Sequence, residues 1–238
     1  MIFRIGWLVL LIWSVQMSTL TGQSAEPSKA TAPDTIDSVR LLELTAELNF
    51  PNLGFGRAVN INTVGFSGTF LTRAKSKSYA LAGLDVNYFS LGSLSNTILS
   101  QGAQFTDFTR SNYISARFLY RVYAPFFTSR IEPFIEAGLG PQIFYTMTTT
   151  TFLDEQGSSN IIVDESALGL TYGLAVGATV AVQDQFFAII KLGLRGGTAT
   201  NFLHPRDSLS SEYPIDNFDL SNDALSLIHI SLGISYSF

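Results

Sequence analysis

The chain has 238 residues, 46% of them hydrophobic and only 14% charged, with a formal net charge of −5. Soluble domains carry nearer ~25% charged residues, so this composition calls for a solvent other than water. The acidic balance argues against a nucleic-acid partner, which needs a clustered basic surface. The absence of cysteine excludes disulfides, thiolate metal sites and a lipidated-cysteine anchor.

Arg4 precedes an apolar run over 5–17, interrupted only by Ser14 and Gln16, and small residues follow at Gly22, Ser24 and Ala25. This layout predicts a secretory signal peptide over 1–25, cleaved after Ser24 or Ala25, because the run is too short for a comfortable membrane helix. Residues 26–38, rich in Pro, Ala, Thr and acidic side chains, predict a flexible periplasmic lead. No other stretch approaches the ~18 consecutive apolar residues of a membrane helix.

Eight segments of alternating polarity follow, read as one domain over 39–238. A period of two places alternate side chains on opposite faces of a strand. Segment 42–50 sets Leu42, Leu44, Ala46, Leu48 and Phe50 against Glu43, Thr45, Glu47 and Asn49. Segment 63–72 carries Val64, Phe66 and Phe70, and 79–89 sets Leu84, Val86 and Tyr88 against Asp85 and Asn87. Segment 113–123 opposes Ile114, Ala116, Phe118, Tyr120 and Val122 to Arg117 and Arg121. Segment 131–145 opposes Ile135, Ala137, Leu139 and Ile143 to Glu132, Glu136 and Gln142. Segments 169–182 and 186–196 lead to the last, 224–238. There Ile228, Ile230, Leu232, Ile234, Tyr236 and Phe238 share one face, with His229 and Ser231 on the other. Most of these lengths are near the ~9–11 residues of a tilted membrane strand.

The connections alternate as well. Those at 73–78, 124–130 and 183–185 are short, those at 89–112, 146–168 and 197–222 are long and polar, and 51–62 is intermediate. Short periplasmic turns and long outer loops are the pattern of outer-membrane barrels. The fold expected is therefore all-β: an eight-stranded antiparallel up-and-down transmembrane β-barrel, with both chain ends on the periplasmic side. A soluble lipocalin-like barrel also alternates, with its apolar face inward. The second face of 169–182 decides against it, being wholly Gly, Thr and Ala. Small residues suit a narrow packed lumen, whereas a wetted exterior would be rich in Lys, Glu and Asp.

The inward face carries both signs of charge. Glu43, Glu47, Asp85, Glu132 and Glu136 face Arg117, Arg121, Lys191 and Arg195. In an antiparallel pair one register satisfies both Arg121–Glu132 and Arg117–Glu136, and both are predicted as lumen ion pairs. A charged constriction for small ions is one reading. A polar plug that satisfies itself is preferred, since buried charges must be paired and an eight-stranded interior is just filled by side chains. His229 and Ser231 share a lumen face, but no partner carboxylate is evident, so no catalytic residue is assigned. The acidic outer segments, with Asp154, Glu155, Asp164, Glu165, Asp207, Glu212, Asp216, Asp219 and Asp223, read as solvated turns. Ca²⁺ or Mg²⁺ binding there lacks any EF-hand spacing. Arg73, Lys75 and Lys77 form a small basic periplasmic turn facing headgroups. Phe50, Tyr88, Phe89, Tyr145, Tyr236 and Phe238, with Phe126 and Phe127, are expected in interfacial girdles. No metal or cofactor is expected.

The ending, with Ile234, Tyr236 and Phe238 at alternate positions, resembles the C-terminal signature of bacterial outer-membrane barrels. In that group the last strand is recognised by the barrel-assembly machinery. Residues 42–238 as a whole resemble the eight-stranded OmpA/OmpX-like barrel family of Gram-negative bacteria. The run Glu132-Pro133-Phe134-Ile135-Glu136-Ala137-Gly138-Leu139-Gly140 is similar to a strand common in Bacteroidota-type barrels. His229-Ile230-Ser231 is similar to a pair in an outer-membrane lipid A deacylase, without its wider motif. The resemblance implies an outer-membrane location and contact with lipid and lipopolysaccharide; a monomer is expected and, with the sequence stopping at Phe238, no peptidoglycan-binding domain of the OmpA type. The function it implies is structural or interactive, with outer loops meeting an extracellular partner. A narrow porin or small-solute binder and a lipid A-modifying enzyme are the alternatives.

Overall fold

The computed structural model describes residues 40–73, 79–100, 103–124, 131–152, 158–206 and 210–238. The signal peptide and lead lie outside these residues, as do Lys75, Lys77, Phe126, Phe127, Asp154, Glu155 and Asp207. The strands are β1 (Arg40–Pro51), β2 (Thr63–Thr72), β3 (Ala80–Ser100), β4 (Ala103–Tyr123), β5 (Ile131–Phe152), β6 (Ser159–Gln183), β7 (Phe186–Pro205) and β8 (Phe218–Ser237). Each pairs antiparallel with its neighbours, and β1 closes on β8 from Leu41↔Ser237 to Pro51↔Leu227. The result is the closed eight-stranded barrel that the alternation predicts.

Side-chain parity follows the sequence pattern. Glu43, Thr45, Glu47 and Asn49 of β1 are buried inside, while Leu42, Leu44 and Leu48 are exposed outside. The outer wall continues around the barrel with exposed Phe66, Leu84, Phe118, Ile135, Leu139, Leu170, Leu174, Leu192 and Ile234. A closed wall leaves no unpaired backbone at this level, so an apolar exterior is compatible with hydrocarbon.

Three features depart from the expectation. First, β3 to β8 run on into the segments predicted as long polar loops. Those segments are rich in Thr and Ser, whose composition suggests turns. Yet Thr is β-branched and suits a pleated surface. Their hydroxyls bond across strands: Thr109 with Thr148 at 2.7 Å, Thr146 to Ser111 at 3.0 Å and Thr150 to Asp107 at 2.6 Å. Register shifts fall at Ser90/Gly92, Thr146/Met147 and Gly196/Ala199, where the strands leave the apolar belt. Such bulges sharpen the local twist and re-aim a strand. Second, the connection between β1 and β2 holds a short helix, α1 (Leu53–Ala58).

The β4–β5 register also differs. Arg121 lies opposite Glu136, four residues from the predicted pairing with Glu132. A shift of four keeps every side chain on its face, so alternation cannot detect it. Packing selects the observed register. Tyr123 meets Phe134 edge to face at 5.5 Å between ring centroids. Leu119 lies opposite Gly138, where an added Cβ would overlap the Leu119 side chain. The predicted register would drive Leu119 against Phe134 and leave this large-against-small fit unused.

Candidate functional site

The lumen is built in three layers. Nearest the chain ends, Leu41, Leu71, Leu81, Leu119, Tyr123, Phe134 and Ile189 form a buried apolar layer contributed entirely by the barrel wall.

Above it lies a charged layer. Arg121 of β4 is fully buried between two carboxylates from opposite sides of the barrel. Its Nε and Nη2 donate to Glu136 Oε2 at 2.9 and 2.5 Å. Nη1 donates to Glu43 Oε1, and Nη2 to Glu43 Oε2 at 2.7 Å. The guanidinium lies over the Phe134 ring, 4.1 Å from its centroid. Lys191 Nζ is 3.6 Å from Glu43 and 3.9 Å from Glu136. Arg117 donates from Nε and Nη2 to Asp85 Oδ2 at 3.1 and 2.6 Å, and Thr69 donates to the other Asp85 oxygen. Higher up, Arg195 donates to Glu47 at 3.1 Å and to Asn87 Oδ1 at 2.6 Å, while Asn87 Nδ2 donates to Glu47 at 2.6 Å.

The predicted lumen charges other than Glu132 are thus gathered in one layer, but with different partners. Arg121 takes Glu136 and Glu43 in place of Glu132, and Arg117 takes Asp85 in place of Glu136. Glu132 is exposed near the terminal end, opposite Thr179, and is not part of the network. Among the described residues of this layer, four buried carboxylates (Glu43, Glu47, Asp85, Glu136) match four buried cations (Arg117, Arg121, Lys191, Arg195), so it is balanced in charge. Removing one member of such a set strands a buried charge. His229 and Ser231 lie in the same layer, 4% and 0% exposed, and no hydrogen-bond partner reaches His229 Nδ1 or Ser231 Oγ. No carboxylate is bonded to the His229 ring among the described residues, so the arrangement lacks the orienting group of a triad.

The third layer closes the outer mouth. Phe55 of α1 is wholly buried among Phe89, Leu91, Tyr113, Phe144, Phe202, Leu225 and Leu227. Phe89, expected in the outer girdle, instead points into the lumen, on the opposite face from Tyr88. Phe55 has its ring centroid 5.1 Å from that of Phe202 and 6.1 Å from that of Phe144. Gly54 and Gly56 flank it, and Leu53 adopts φ +53°, which turns the chain into the mouth. Sequence reasoning missed this stopper. The available signal was an aromatic residue between two glycines in a connection too short to need one. Above it, α1 with His204, Asp219, Ser221 and Asp223 lines an open polar bowl.

Outside, Tyr88 and Tyr145 border the apolar belt at its outer edge. At the terminal end Phe186, Tyr236 and Phe238 are in ring contact. Beyond the belt, β3, β4, β5 and β6 continue as one sheet. In this sheet Thr148 donates to Asp164, and on the β7–β8 hairpin Arg206 donates to Asp219.

No family model matches the chain, and no curated protein matches it. Among solved structures it is similar to a major outer membrane protein from Thermus thermophilus, with 14% identity over 84% of this chain and 99% of that one, TM-score 0.46. It is similar to Neisserial surface protein A, with 11% identity over 84% and 97%, TM-score 0.37. It is also similar to the Escherichia coli outer membrane protein W, with 12% identity over 86% and 100%, TM-score 0.37. The likeness is one of fold. By its own architecture, a closed eight-stranded wall with an apolar exterior and a polar interior, the chain is an integral outer-membrane β-barrel.

Proposed function

We propose that the barrel is an anchor, sealed along its axis, whose outward strand extensions meet an extracellular partner. The observation that carries this reading is the layered lumen: a self-neutral charged layer held between two apolar stoppers. A pore needs a continuous wet path, and apart from the hydroxyls of Tyr123 and Tyr113 the two stoppers are built of apolar side chains. The reading assigns no catalytic residue, since His229 and Ser231 are enclosed with no bonded carboxylate. The barrel works as a monomer in lipid and lipopolysaccharide, assembled through the strand that bears Ile234, Tyr236 and Phe238. Its girdle aromatics need no ligand.

The test is conductance. The mature protein, refolded and inserted into a planar lipid bilayer, is expected to give no defined single-channel steps. Stable ohmic steps in the unmodified protein would favour a narrow porin and overturn the sealed reading.

A further inference from the structure

The outer half of β6 is paired on one side only. It pairs with β5 up to Thr151↔Ser159, but its pairing with β7 stops at Thr171↔Gly197. At the last step before the gap, Leu170 N donates to the Thr198 side chain instead of to backbone. Among the described residues, no strand pairs with this side of β6 over 159–169. The direction of its backbone groups follows from one bond. Phe152 N donates to Ser158 O, so in an antiparallel ladder Asn160 and Ile162 point toward β5 while Ser159, Ile161 and Val163 point away. The bulged residue Asp164 shifts the parity by one, and Ser166 and Leu168 then face the open side. Leu170, the next in that series, bonds to Thr198, which agrees with this phase. Among the described residues, these five therefore present N–H and C=O groups without a strand partner in one row.

The usual blunting devices are confined to one level of this edge, the bulge and the charges at Asp164 and Glu165, and 159–163 has neither. The edge carries no proline or lysine. Ile161, Ile162, Val163 and Leu168 are each more than half exposed, and Ile161 and Ile162 point to opposite faces of the sheet. Ile161 pairs with Thr149, four residues beyond Tyr145, or about 13 Å further along the strand than the outer girdle. Its apolar neighbours are therefore not accounted for by the belt.

We infer that this edge binds an extended polypeptide segment of basic and apolar alternation, which adds to the sheet as a further strand. Only a strand matches a row of alternating donors and acceptors. Charge selects its chemistry. Between Arg130 and Lys191 the chain has no Lys or Arg, and its charged residues, Asp164 and Glu165 of this edge among them, are all acidic. A second copy paired edge to edge would bring Asp164 and Glu165 toward their own kind, and like charges across a ladder are destabilising. A strand bearing Lys or Arg avoids that conflict. The inference rests on the anchoring role proposed above and names its contact site.

The test uses the refolded full barrel in detergent and a fluorescent ten-residue peptide of alternating Lys and Val. Binding is read by anisotropy against detergent alone. The unmodified protein is expected to bind this peptide at least tenfold more tightly than its Glu-Val counterpart and than the same peptide N-methylated at alternate amides. Ile161→Pro removes an N–H on the open side and leaves the bonds to β5 intact, so it should weaken binding at least tenfold without loss of the folded, heat-modifiable band. If that variant does not fold, the N-methylated peptide still decides. Equal binding of the N-methylated peptide, equal binding by Ile161→Pro, no binding at all, or a dimer abolished by Ile161→Pro would each overturn the inference. None of these outcomes bears on the conductance measurement, which tests the sealed anchor separately.

Discussion

The two stoppers differ in what holds them. The inner one is made of side chains rooted in six different strands, among them Leu41 of β1, Leu71 of β2, Phe134 of β5 and Ile189 of β7. It cannot open unless the wall itself changes. The outer one depends on Phe55, carried by a helix that belongs to no strand. Asn52 anchors that helix through its N–H to Ser226 O at 3.0 Å and through its side chain to Ser226 Oγ. The outer closure can therefore be lost while every ladder remains intact. The same end, a dry layer across the lumen, is reached once by the fold and once by an added part.

The largest expected effect comes from the layer between them. Arg121→Ala leaves Glu43 and Glu136 buried with only Lys191 near, and should cost about 4 kcal/mol in denaturant unfolding of the refolded barrel. A loss below ~1 kcal/mol would mean that water reaches this layer and that the stoppers do not seal it. Truncating each stopper comes next. Phe134→Ala should cost about 3 kcal/mol, since it empties a packed site and uncovers the Arg121 guanidinium. Phe55→Ala should cost nearer ~2 kcal/mol, because the helix can leave the mouth without unpairing a strand. Neither single variant should conduct, as one stopper remains, whereas the double variant should show transient openings in a planar bilayer. Conductance in Phe55→Ala alone would show that the inner layer is not a seal. The smallest effect is expected from Glu132→Gln, within ~0.5 kcal/mol, as this side chain is exposed and outside the network.

The face of each strand was legible because alternation is a local property. Glu43, Arg117, Arg121 and Glu136 were all placed inside by counting in twos. Their partners were not legible. Arg121 has a glutamate opposite it in either of two registers that share the same parity, and the choice between them depends on whether Leu119 meets Gly138 or Phe134. The network is also completed by strands far apart in sequence: Arg195 reaches Glu47 across 148 residues, a relation no hairpin argument contains. The outer strand extensions were hidden for a different reason. Runs such as Thr148 to Thr151 read as polar loop by composition, while their β-branching and cross-strand hydroxyl bonds make them sheet. The apolar row at Ile161, Ile162 and Val163 lay inside that same segment and was passed over with it.

The charged layer has a consequence for biogenesis. Its carboxylates enter mainly with the early strands, two on β1 and one each on β3 and β5, whereas two of its four cations arrive only with β7. A partial sheet of β1–β6 is left with surplus negative charge in the region destined to be enclosed, and one that grows from β8 through β7 with surplus positive charge. Hydrocarbon would not accept either intermediate, so insertion should wait until the remaining hairpins have joined, and entry of this barrel into the bilayer should be concerted instead of hairpin by hairpin.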